Sequence, residues 1–155
     1  MYQSIIKIRD KVKAALGNQI KTYFLDDPRL IAISSLPCIS VVPIRTDIDI
    51  ADTERDVYRY TIDVYLIINA LTQLDSPKQE MVGMQYLTKM MEEKEFDGSL
   101  KANTILDALR NDMTIDDNWY IENISSIDYT VRVRSEQSVT LESWARITVV
   151  RFINR

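Results

Sequence analysis

Five acidic residues within ten positions, Asp47, Asp49, Asp52, Glu54 and Asp56, form the densest concentration of potential chemistry in the chain. Carboxylate oxygens of this kind suit a hard cation such as calcium. A calcium loop, however, also needs a central glycine and a distal glutamate at fixed spacing, and neither is present. Arg45, Arg55 and Arg59 stand near enough to neutralise part of the charge. The plain reading is a solvated acidic tip, and the more useful one is an acidic contact with another protein.

Nucleophilic chemistry has little support. Cys38 is the one cysteine, so an internal disulfide is excluded, and its neighbours Leu36, Ile39 and Val41 predict a buried strand thiol. The chain contains no histidine, which removes Ser-His-Asp triads, Cys/His zinc sites and imidazole proton shuttles. Glycines stand isolated at 17, 83 and 98, so no phosphate-cradling loop is formed. Tyr58, Tyr60 and Tyr65 near Arg59 could stack on bases, but there is no basic stripe and the net charge is −4. Met81, Met84, Met90 and Met91 could make an adaptable docking surface, although helical spacing favours ordinary core packing. Asp116-Asp117, within Thr114-Ile115-Asp116-Asp117-Asn118, reads as a turn. These residues point to no catalytic centre, no metal and no cofactor.

The elements that must position the acids are two long hairpins, Leu36–Ala70 and Trp119–Asn154. In the first, Cys38, Val42, Ile44, Ile48 and Ile50 share one parity, and Tyr58, Tyr60, Ile62, Val64, Leu66 and Ile68 share another on the return strand. Ala51-Asp52-Thr53-Glu54 is the expected turn, and Pro43, which cannot donate to a ladder, marks an edge or a bulge. In the second, Ile121, Ile127, Tyr129, Val131 and Val133 alternate with polar residues up to a turn at Ser135-Glu136-Gln137-Ser138. Val139, Leu141, Ala145, Ile147, Val149 and Ile153 carry the apolar parity of the last strand, while Trp144, Val150 and Phe152 interrupt its polar side. A fifteen-residue strand spans about 50 Å, against a usual length of about 17 to 20 Å. The tips are therefore expected to stand clear of the domain, and strand in such excess implies a partner.

Helices are expected on either side of the first hairpin. Ile5, Ile8, Val12 and Ala15/Leu16 recur at helical steps ahead of Gly17. Ser76, Pro77 and Gln79 have the spacing of a helix start, followed by Met81, Met84, Leu87 and Met91, with Gly98 as the stop. A third helix fits Ser99–Asn111 through Ala102, Ile105, Leu106 and Leu109. The expected fold is α+β: a mixed or antiparallel sheet built from two long hairpins and packed on one face by two to three helices, in the order α-β-β-α-α-β-β. With 155 residues, 46% hydrophobic, and no linker or repeat, one domain over 1–155 is expected. There is no signal-peptide region and no apolar stretch near the roughly 18 residues that cross a bilayer, so folding in a cytoplasm is the expectation.

The order of parts adds a resemblance. An amphipathic helix precedes Leu36-Pro37-Cys38-Ile39-Ser40-Val41 and a return strand Tyr58-Arg59-Tyr60-Thr61-Ile62-Asp63-Val64-Tyr65-Leu66. A helical segment then ends in Ile105-Leu106-Asp107-Ala108-Leu109-Arg110-Asn111-Asp112-Met113-Thr114-Ile115, ahead of Ile127-Asp128-Tyr129 and a hydrophobic last strand. Over nearly its whole length the chain resembles the tail terminator, or tail completion, proteins of tailed bacteriophages. It departs from them where many carry glycines after the Asp-x-Thr-Leu segment, having Asp116-Asp117-Asn118 instead. The resemblance implies a structural virion protein that forms a ring, usually a homohexamer, in the tail or neck, assembled in the host cytoplasm. Its implied partners are its own copies, the tail tube protein it caps, and a head-tail connector or neck protein. DNA would pass through the lumen without sequence-specific binding, and no catalysis is implied.

Within such a ring, some of Asp47, Asp49, Asp52, Glu54 and Asp56 are expected to face the lumen or the ring-to-ring interface, since a cationic lining would retain phosphates. The second tip, with Arg132, Arg134 and Glu136, is expected to meet an adjacent subunit or ring through ion pairs, or else to be solvated. The rival readings are another neck, head-closure or baseplate ring component, and a small carboxylate-based hydrolase.

Overall fold

A computed structural model describes residues 1–25, 27, 31–50, 52, 54–70, 83–136 and 138–154. Its elements in chain order are α1 (Tyr2–Leu16), β1 (Thr22–Phe24), β2 (Cys38–Ile50), β3 (Arg55–Asn69), α2 (Met84–Glu92), α3 (Ile105–Arg110), β4 (Thr114–Asp116), β5 (Trp119–Ser135) and β6 (Ser138–Asn154). The strands form a single sheet in the order β1-β2-β3-β6-β5-β4. Long neighbours pair antiparallel, while β1 runs parallel to β2 through Thr22–Phe24 against Cys38–Ser40.

This corrects the expected fold class. Among the described residues the fold is mostly β, 52% strand and 27% helix, a curled six-stranded mixed sheet with three helices, and not an α+β layer of two hairpins under helices. The physical reason is that the four long strands dominate while the helices run short, α2 ending at Glu92 and α3 covering only Ile105–Arg110, and that two outer strands extend the sheet. Three residues are too few to display alternation, so β1 and β4 leave no periodic trace in the sequence even though each fixes one margin of the sheet.

The inner face of the curl carries the main core. Ile8, Val12 and Leu16 of α1 join Leu87 and Met91 of α2, Ile105 and Leu109 of α3, and Ile62, Val64, Leu66, Ala145, Ile147 and Val149 of the central strands. Gly17 ends α1 with positive φ, and its N–H donates to the Lys13 carbonyl. The helix predicted over Ser99–Asn111 begins later, at Ile105, because Thr104 adopts an extended cap conformation and accepts from the Asp107 N–H at 3.1 Å. Gly98 does not stop α2, which ends at Glu92. It occupies a separate turn instead, with its N–H donating to the Glu95 carbonyl at 3.0 Å. The start signal at Ser76, Pro77 and Gln79, and Met81, lie outside the described residues. Asp116 belongs to β4, and the turn is confined to Asp117-Asn118.

Bulges decide which side each hairpin residue faces. Between Pro43 and Arg45 the pairing of β2 with β3 slips by one residue, leaving Ile44 as the extra one. Every later residue therefore changes face relative to the first half of the strand. Cys38 and Val42 lie on the outer face. Ile48 and Ile50 lie on the inner, so they do not share a face as simple alternation predicts. In β5 the slips at Glu122 and Ser125 cancel, so Ile127, Tyr129, Val131 and Val133 regain the inner face. Ile124, between the two slips, joins them from the opposite sequence parity.

Candidate assembly interface

Along the first hairpin, the acids divide by face. Asp47 and Asp49 lie outward beside Arg45 and Arg59, while Asp56 is opposite Ile153 on the inner face. Asp47 accepts from Arg45 (2.6 Å), Asp49 from Arg59, and Asp52 from Arg55 (2.9 Å). Arg59 also reaches Glu122 of β5 at 3.4 Å. The Glu54 N–H donates to Asp52 at 2.8 Å. That hydrogen bond, followed by those from Arg55, holds the Asp52 carboxyl below its usual range. The acids are thus spread over a ribbon, with Asp47, Asp49 and Asp52 each paired to an arginine, rather than converging on one point. Among the described residues no group of three potential ligands lies close enough to hold a metal ion.

At the second hairpin the expected projecting charges part company. Arg134 folds back over the sheet, donating to Thr140 (3.0 Å) and to Glu142 (2.8 Å). Glu142 is fully buried and also pairs with the Nε of Arg132 at 3.2 Å. Arg132 remains partly exposed, and Glu136 lies at the exposed turn. Arg134 therefore belongs to the domain's own interior, whereas Arg132 and Glu136 keep a surface.

The same outer face holds a second buried carboxylate. Asp63 accepts two hydrogen bonds from Arg146, at 2.8 and 2.7 Å, and this pairing raises the arginine's pKa further. Tyr65 and Trp144 stack above it with ring centroids 5.3 Å apart. Below them Ile31, Cys38 and Ile67 form a small apolar cluster, where burial pushes the Cys38 thiol up to about 12. Nothing in simple alternation marks Asp63 or Glu142 as buried. The signal available was an arginine on the facing strand at a matching position, visible only once the strands are paired.

On the inner face Trp119 lies between the Arg151 guanidinium, 4.2 Å from a ring centroid, and the Lys7 ammonium, at 5.3 Å. Lys7 also pairs with Asp116, drawing that carboxyl below its usual range. The contact ties α1 to the β4–β5 margin.

Both margins of the sheet end in long stretches of strand without a neighbour. β1 covers only Cys38–Ser40 of β2, and β4 covers only Trp119 and Tyr120 of β5. Among the described residues no strand pairs with the outer edge of 41–50 or of 121–135. Close to the tips these edges expose Ile44, Ile48 and Ile50 on one side and Val131 and Val133 on the other. An uncovered edge bearing β-branched residues is a template for another strand. No family model matches the sequence, and no curated protein does.

Proposed function

We propose that the protein is a structural ring subunit of the tail-terminator type. Copies of it, six in the expected ring, would cap the tail tube of a tailed bacteriophage and join it to the head-side connector, without catalysis. The observation that carries this reading is the pair of uncovered strand edges on opposite margins of one domain. A head-to-tail ring needs two different surfaces per subunit, and opposite edges of one sheet are different surfaces by construction. The order of sequence parts supplies the choice of tail terminator. The outer face supports passage of DNA, because its arginines are each matched with an acid and would hold phosphate weakly.

Native mass spectrometry with electron microscopy of purified tail tubes tests the proposal. The expected result is a ring of about six copies seated on one end of the tube. A protein that stays monomeric and leaves tube ends bare overturns it. A ring found at a baseplate or head-closure position favours the second reading, which the same edges support. A carboxylate hydrolase has less behind it, since the acids of the first hairpin are separated and paired with arginines.

A further inference from the structure

We infer that neighbouring copies join by antiparallel pairing of the β5 tip of one with the β2 tip of the next, with Val133 opposite Ile48, Arg132 opposite Asp49 and Val131 opposite Ile50. The inference deepens the ring reading, on which it depends only for closure.

Four observations select this occupant. First, β2 and β5 run in opposite directions within the sheet, so copies repeated around an axis bring them together antiparallel, the sense of every other long pair in the fold. Second, each edge is interrupted by bulges in its middle, at Pro43–Arg45 and at Glu122 and Ser125. The uninterrupted lengths are 45–50 and 127–133, toward the two tips. Bulges and edge prolines discourage pairing where they occur, which leaves the tips as the competent segments.

Third, the apolar residues match. Ile48 and Ile50 are 59% and 72% exposed, and Val131 and Val133 are 54% and 71% exposed. All four point to the inner face, so a continued sheet sets them side by side as cross-strand pairs. Fourth, the charges match on the other face, where Asp47 and Asp49 point outward on β2 and Arg132 on β5. Twofold pairing of two β2 tips centred near Ile48 would instead bring Asp47 against Asp49 of the other copy.

The register has a geometric consequence. Ile48 stands level with Arg151 of β6, and Val133 with Val139, so joined copies are displaced by twelve residue levels. That is about 40 Å along the strands. A closed ring built this way has its strands steeply inclined to the ring axis.

Disulfide trapping tests the pairing. Ile48→Cys and Val133→Cys are prepared separately and oxidised with copper phenanthroline, alone and mixed. Both sites are exposed, so neither change threatens folding, and buried Cys38 stays out of the reaction. The expected result is at least ten-fold more crosslinked dimer in the mixture than with either variant alone. Crosslinking of the Val133→Cys variant with itself overturns the inference in favour of twofold pairing, and no crosslink in the mixture also overturns it. Native mass of the unmodified protein is measured in parallel. A ring without the crosslink sinks this pairing and leaves the ring reading standing. Crosslinked chains that grow open-ended uphold the pairing and sink the ring.

Discussion

Cys38 illustrates how a single buried group sets a pH limit on the fold. In the unfolded chain its thiol ionises near 9.0, whereas in the folded protein burial holds the proton until about 12. The folded state therefore binds more protons than the unfolded one across that interval, and stability is full below pH 9 and falls as pH rises. The expected slope is about 1.4 kcal/mol per pH unit between 9 and 12, read by urea denaturation at a series of pH values. Cys38→Ala should remove the slope between pH 9 and 10, leaving above pH 10 the contributions of Tyr23, Tyr65, Tyr86 and Tyr129, whose protons are retained by burial and, for Tyr129, by donation to Glu92. Asp63 makes a different statement. Removing Arg146 strands a buried carboxylate, and breaking such a pair costs about 3 to 5 kcal/mol. Since Arg146 is itself 43% exposed and water can enter behind it, Arg146→Ala should fall near the lower end, about 3 kcal/mol. A double variant, Asp63→Asn with Arg146→Gln, should recover most of the loss. An equal loss in both variants would show that packing by the arginine stem, rather than its charge, is what matters.

At the level of elements, the bulge at Ile44 allots the chemistry of the first hairpin. Deleting Ile44 should remove the bulge and leave Arg45 opposite Thr61, so that Ile48 and Ile50 stay inward and Asp47 and Asp49 outward. The distal strand is exposed on both faces, so stability should change by less than about 1 kcal/mol. Crosslinking between positions 48 and 133 should persist, and its loss at an unchanged denaturation midpoint would show that the bulge itself shapes the contact. The long strands were legible because alternation over a dozen or more residues is a strong signal, and α1 was legible from Ile5, Ile8 and Val12. What stayed hidden has physical causes. Bulges flip faces without changing composition, β1 and β4 are too short to show a period, and the helices are shorter than their apolar spacing suggests. The third helix starts at Ile105 rather than Ser99 because Asn103 takes a positive φ that interrupts a helix before Thr104.

For the whole molecule, the surface charges of the hairpins are largely matched within the chain. Each arginine on the outer face is matched by an acid of the same chain, so disturbing one acid unbalances both the tip and whatever it meets. Charge reversal at Asp49 and Asp52 together should abolish stacking on tail tubes, scored by microscopy, while leaving the denaturation midpoint nearly unchanged. Intact stacking would remove these acids from any role in the lumen or between rings. The candidate site was half visible beforehand. Sequence picked out Arg132 as an assembly residue together with Asp47 and Asp49, and it also picked Arg134, which the register shift between Val133 and Ser135 leaves as an extra residue with its side chain on Glu142. A bulge is a property of two paired strands, and no local pattern reports it.

One extra residue in a strand is also an evolutionary buffer. Loss of the single codon at position 44 would leave the isoleucines and aspartates of the margin on their present sides, because the bulge already absorbs the extra residue. Two chains differing by that one codon would share a fold and still assemble with each other. A gapless comparison carried across Pro43 would nonetheless set isoleucine against aspartate and read two like margins as different.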